Sequence, residues 1–84
     1  MKELLIATGN PGKLHEITTI LHGIPFILRS LTDCGLSGNF QENGTSFAEI
    51  ASQKALHFSH ISHLPTIAED SGIFVDALPG ELGI

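Results

Sequence analysis

Cysteine is nearly missing from this chain: Cys34 stands alone among 84 residues. One thiol cannot close an intramolecular disulfide or build a cysteine-rich zinc module, and a reducing, cytoplasmic setting is the default expectation. Positive charge is scarce too. Four Lys and Arg face nine Asp and Glu, for a formal net charge of −5. A protein that grips nucleic-acid backbones needs a basic face, so no nucleic-acid partner is expected. No apolar run approaches the ~20 residues of a membrane helix. Leu4 to Ala7 is also too short for the core of a secretory signal. No membrane partner is therefore expected. Repeats and low-complexity tracts are lacking, as are the two common nucleotide fingerprints, G-x-x-x-x-G-K-[ST] and G-x-G-x-x-G. The length suits one small domain and not two.

What is present begins at once. Leu4-Leu5-Ile6-Ala7 has the length of a buried strand, and Leu14, Ile17, Ile20 and Leu21 recur at helical spacing. Between them run Thr8, Gly9, Asn10, Pro11, Gly12 and Lys13. Thr8, Gly9 and Asn10 offer hydrogen-bond donors, Pro11 suits a first helical turn, and Lys13 adds a full charge. Donors, a helix start and a lysine at one point are what a phosphate requires.

The remaining order reads as a helix from about Gly12 to His22, a strand over Phe26–Ser30, and a long glycine-dotted connection from Leu31 to Asn43. A second helix follows to about Ser59, capped by Thr45 or Ser46, with Ser46 and Glu49 spaced as a capping box. Its apolar stripe is Phe47, Ile50, Ala51, Lys54, Ala55 and Phe58. Strands are expected at Thr66–Ala68 and Ile73–Val75, with a turn-rich stretch from Asp76 to Ile84. This order belongs to the α/β class. Phe26, Phe47, Phe58 and Phe74 read as core.

Acidic residues supply the second half of the chemistry. Glu69 and Asp70 follow the third strand, where open α/β sheets place their ligands. Hard oxygen donors there suit Mg²⁺, which binds through one or two carboxylates and the substrate's own phosphates. Glu42 lies just upstream of the second helix and can join a metal site or face the helix start. Lys54 can reach a phosphate or solvent. His57, His60 and His63 are spaced by three, but Leu64-Pro65 follows, and ordinary surface positions are the expectation. Cys34 reads as structural.

Three ordered segments together resemble the inosine triphosphate pyrophosphatase family. Thr8-Gly9-Asn10-Pro11-Gly12-Lys13-Leu14-His15-Glu16 is similar to its [ST]-G-N-x-x-K-x-x-E signature. Glu42-Asn43-Gly44-Thr45-Ser46-Phe47 with Ala51, Lys54 and Ala55 resembles its second motif. Ala68 to Leu78 resembles its A-[ED]-D-S-G-L-x-V-D-A-L motif. The resemblance implies a mixed sheet with flanking helices, of which residues 1–84 form the N-terminal portion of one domain. It further implies hydrolysis of ITP, dITP or XTP to the monophosphate and pyrophosphate, with Mg²⁺, by a cytoplasmic enzyme that can be a homodimer. Residues Thr8 to Lys13, with Lys54 and Ser71, would hold the substrate. Glu42 and Asp70 would bind the metal, joined by Glu69, and Asp70 would act on the attacking water. Ile50 replaces the family's usual asparagine, and Leu82 a usual proline. The motifs that read the purine lie beyond these 84 residues, so the alternative expectation is a fragment that binds phosphates without turnover.

Overall fold

Leu4, Leu5, Ile6 and Ala7 are all buried, which requires cover on both faces of the strand that carries them. The computed structural model describes residues 2–37 and 45–79 and supplies that cover. Its elements are β1 (Lys2–Ala7), α1 (Pro11–Ile20), β2 (Phe26–Ser30), α2 (Phe47–Ser62), β3 (Thr66–Asp70) and β4 (Ile73–Ala77). The strands form one mixed sheet in the order β2-β1-β3-β4. β1 pairs in parallel with β2 and β3, and β3 pairs antiparallel with β4.

The two helices take opposite faces. On one face Leu5, Ala7, Ala68 and Ala77 pack with Ala55 and Phe58 of α2. Side chains alternate along a strand, so Ile6, Ile67 and Phe74 belong to the other face. There α1 lies over the sheet, with Leu14 bordering a cavity beside Ile6, and Ile17 and Ile20 bordering an open groove above Ile67 and Phe74. Of the expected α2 stripe, Ala51, Ala55 and Phe58 are buried, while Ile50 and Lys54 are half-buried.

Four expectations are corrected. α1 stops at Ile20, and residues 21–23 form a turn that ends on Gly23 at φ 93°. α2 runs on to Ser62 and is closed by His63 in the left-handed conformation, φ 60°. β3 extends through Glu69 and Asp70, and β4 through Asp76 and Ala77, because antiparallel pairing of Asp70 with Ile73 prolongs both strands. Finally, Phe58 is buried, but Phe47 and Phe74 are 56% and 50% exposed. Phe47 sits on the first turn of its helix and Phe74 on an edge strand, where little packs above them.

Candidate functional site

The connections place the site before any side chain is considered. The chain leaves β1 through α1 to β2 on one side, then returns through α2 to β3 on the other side of β1. The direction of winding therefore reverses between β1 and β3. A crevice opens beyond the carboxyl ends of strands at such a point, and open α/β sheets bind ligands there. Thr8 to Asn10 border it from β1, and Glu69 and Asp70 from β3.

Asn10 organises the β1 side. It caps α1 from an extended conformation, and its Oδ1 accepts the N–H of Gly12 at 2.8 Å and of Lys13 at 3.3 Å. Thr8 Oγ1 accepts the N–H of Asn10 at 3.2 Å. The first-turn amides are thus satisfied by the loop's own side chains. A phosphate here would be met mainly by side-chain donors: the Thr8 hydroxyl, the Asn10 amide and the lysines. A Cβ at Gly12 would stand 3.2 Å from Asn10 Oδ1, so any larger residue there would push the capping oxygen by a few tenths of an ångström. Beside the loop is a cleft of about 370 Å³, walled by Thr8, Gly9, Asn10, Pro11 and Leu14 on one side and Ser30, Leu31, Thr32 and Leu36 on the other.

Three expected site residues converge across the crevice. Lys13 Nζ stands 3.6 Å from Glu69 Oε2 and 3.8 Å from Glu16 Oε2. Lys54 Nζ donates to the Glu69 carbonyl oxygen at 3.4 Å, so this helical lysine reaches the end of β3. Glu69 is itself buried, and its Oε2 accepts the Gly72 N–H at 2.6 Å. Asp70, half-buried, is the last residue of β3 and by alternation lies on the α2 face, opposite to Glu69. Ser71 and Gly72 form a two-residue hairpin with φ of 50° and 87°. Glu42 lies outside the described residues. Among the described residues no three His, Cys, Asp or Glu side chains gather as a metal cage. His57, His60 and His63 are each exposed.

The opposite wall, from the end of β2 at Ser30 into the connection that begins at Leu31, carries structure not assigned from the sequence. It opens with a reciprocal turn: Ser30 N–H donates to Asp33 Oδ2 at 2.9 Å, and Asp33 N–H to Ser30 Oγ at 3.0 Å. The Ser-x-x-Asp spacing was the available signal. The backbone and side-chain hydrogen bonds from Ser30 hold the Asp33 carboxyl below the usual aspartate range. Burial pushes the neighbouring Cys34 thiol up, so it is not an activated nucleophile.

With this geometry in view, comparison with known proteins decides the family. The family model described as the Ham1 family matches residues 4–84. The chain belongs to the Ham1 family. It is 46% identical over 84 residues to a dITP/XTP pyrophosphatase of Geobacter sulfurreducens and 43% identical to one of Legionella pneumophila, in each case over all of this chain and 42% of the relative. Among solved structures it resembles a HAM1 protein of Coxiella burnetii, with a TM-score of 0.73 and 30% identity over 83% of this chain and 35% of that one. A dITP/XTP pyrophosphatase of Mycobacterium abscessus gives a TM-score of 0.66 and 33% identity, over 79% and 34%. This Ham1-family chain therefore spans about two fifths of the length of the curated relatives it matches.

Proposed function

We infer that this chain carries the phosphate-holding part of a pyrophosphatase for non-standard purine nucleoside triphosphates, dITP, XTP and ITP. One observation carries the reading: Lys13 from α1 and Lys54 from α2 both reach Glu69, at the crevice between β1 and β3 and next to Asp70. Of four Lys and Arg in the chain, two lie at this edge, while Arg29 pairs with Glu3 on the sheet. In a chain with an excess of acid, that local concentration of cations suits an anionic ligand of several charges. The names of the relatives supply the nucleotide class.

In this reading Thr8, Asn10, Lys13, Lys54 and Ser71 bind the triphosphate and fix its direction, with Gly9, Pro11 and Gly12 shaping the loop. Asp70 accepts a proton from the attacking water. The water oxygen bonds to the α-phosphorus, and the bond from that phosphorus to the bridging oxygen breaks, releasing pyrophosphate. Asp70 is a hard oxygen donor at the mouth of the crevice, fitting Mg²⁺ held by one or two carboxylates and the phosphates. Glu42 is the second carboxylate we assign to it. When bound, Mg²⁺ would neutralise charge on the phosphates and polarise the reacting oxygen. The lone Cys34 suits a cytoplasmic setting, and the exposed apolar residues suit a homodimer.

A second reading for these 84 residues is phosphate binding without turnover. Pyrophosphate release from ITP, XTP and ATP, with and without Mg²⁺, separates the two. Release that favours ITP and XTP, needs Mg²⁺ and falls at least about a hundredfold in Asp70→Asn supports the enzyme. Binding with no release supports the second reading. No binding at all overturns both.

A further inference from the structure

Glu69 is the one charged side chain among the described residues that is buried, at 6% exposure. A buried carboxylate has to be paired or neutralised. Here Oε2 takes the Gly72 N–H at 2.6 Å and faces Lys13 Nζ at 3.6 Å. Its backbone oxygen receives Lys54 Nζ. One residue therefore ties the phosphate-loop lysine, the second lysine and the Ser71–Gly72 turn together. The same carboxylate points away from Asp70, on the opposite face of β3.

We propose that Glu69 is a positioning residue: its carboxylate holds Lys13 over the crevice between β1 and β3 and pins the turn that presents Ser71. It does not serve as a metal ligand. The proposal rests on the phosphate-binding reading above and adds how the cations are kept ready. Without the Glu69 charge, the Lys13 ammonium has Glu16 as its partner, 3.8 Å away and 56% exposed. That pairing draws the ammonium along the outside of α1. A lysine is a flexible point charge, so restraining it before the ligand arrives lowers the ordering cost of binding.

The test is titration calorimetry with inorganic tripolyphosphate on the wild-type chain, Glu69→Gln, Lys13→Met and the double variant, each with and without Mg²⁺. Glutamine keeps the size of the side chain and an acceptor for Gly72, so thermal unfolding should report an intact fold. Glu69→Gln is expected to weaken binding by about threefold to tenfold. In the Lys13→Met background the same change should cost about twofold or less, because the partner it acts through is gone. Equal losses in both backgrounds, or unchanged or tighter binding in Glu69→Gln, overturn the proposal. So does a loss seen only when Mg²⁺ is present, which is the behaviour of a metal ligand. A wild-type chain that binds no tripolyphosphate overturns this proposal together with the reading beneath it. Wild-type binding with additive losses removes the proposal alone.

Discussion

Asn10 caps α1 with one end of its side chain, and the proposed function gives the other end to phosphate. Its Oδ1 is spent on the N–H groups of Gly12 and Lys13, while its amide nitrogen is the donor assigned to phosphate. Substitution can separate the two. Asn10→Ala loses the cap and should cost about 1 kcal/mol of stability. Asn10→Asp caps a helix as well as asparagine does and adds a favourable charge at the helix start. It should therefore unfold within a few tenths of a kcal/mol of wild type. Yet it removes the N–H donors and sets a negative charge against the ligand, so tripolyphosphate affinity should fall about tenfold or more. Urea denaturation and calorimetry on the same preparations give both numbers. An Asn10→Asp variant that binds as tightly as wild type would show that this amide does not touch the ligand.

The β3–β4 hairpin places the same tension in an element. A two-residue connection between antiparallel strands takes positive φ at both positions, and Asn-Gly or Asp-Gly are the sequences that fill it without strain. Gly72 meets that need, but Ser71 holds φ 50° with a Cβ in the way. Strain of this kind is kept where a side chain is wanted for function. Ser71→Asn should then raise stability by ~0.5 kcal/mol, read as a melting temperature about 2–4 °C higher, while weakening triphosphate binding. A lower melting temperature would mean that the serine hydroxyl holds the turn.

The hairpin also marks a boundary of what sequence patterning could show. The sequence places Glu69 and Asp70 just after the third strand, whereas the structure takes both into its last two positions and makes the turn at Ser71 and Gly72. That the next strand folds straight back on β3 depends on pairing, which no local period encodes. The approach of Lys13 to Glu69 is of the same type: both residues were singled out, but their meeting needs the parallel pairing of β1 with β3. By contrast, the β1 loop is made by neighbours in sequence, so Thr8, Asn10 and Lys13 stand out directly. Asn10 reads as a donor in the sequence, whereas the structure shows its Oδ1 accepting as the cap of α1.

At the scale of the molecule the two faces of the sheet are unequal. Under α2, Leu5, Ala55, Phe58 and Ala68 close into one buried cluster. Over the other face, α1 leaves an apolar groove of about 300 Å³ lined by Ile17, Ile20, Leu21, Ile67, Phe74, Val75 and Asp76. Ile20 is 65% exposed on its rim. Aromatic composition alone could not separate Phe58, which is covered, from Phe74, which is not, because burial was decided by which strand ended at the edge. Apolar surface of this kind favours contact between molecules. Sedimentation velocity should therefore show a weight-average mass that rises with protein concentration. Ile20→Lys should suppress the rise without loss of stability, since a cation in the last turn of α1 is favourable to the helix dipole. The substitution moves the net charge from −5 to −4. Lower net charge by itself promotes association, so a fall in association would be due to the lost apolar surface. A mass that stays monomeric at every concentration, or association that survives Ile20→Lys, would detach this face from any dimer and leave the homodimer reading without its support.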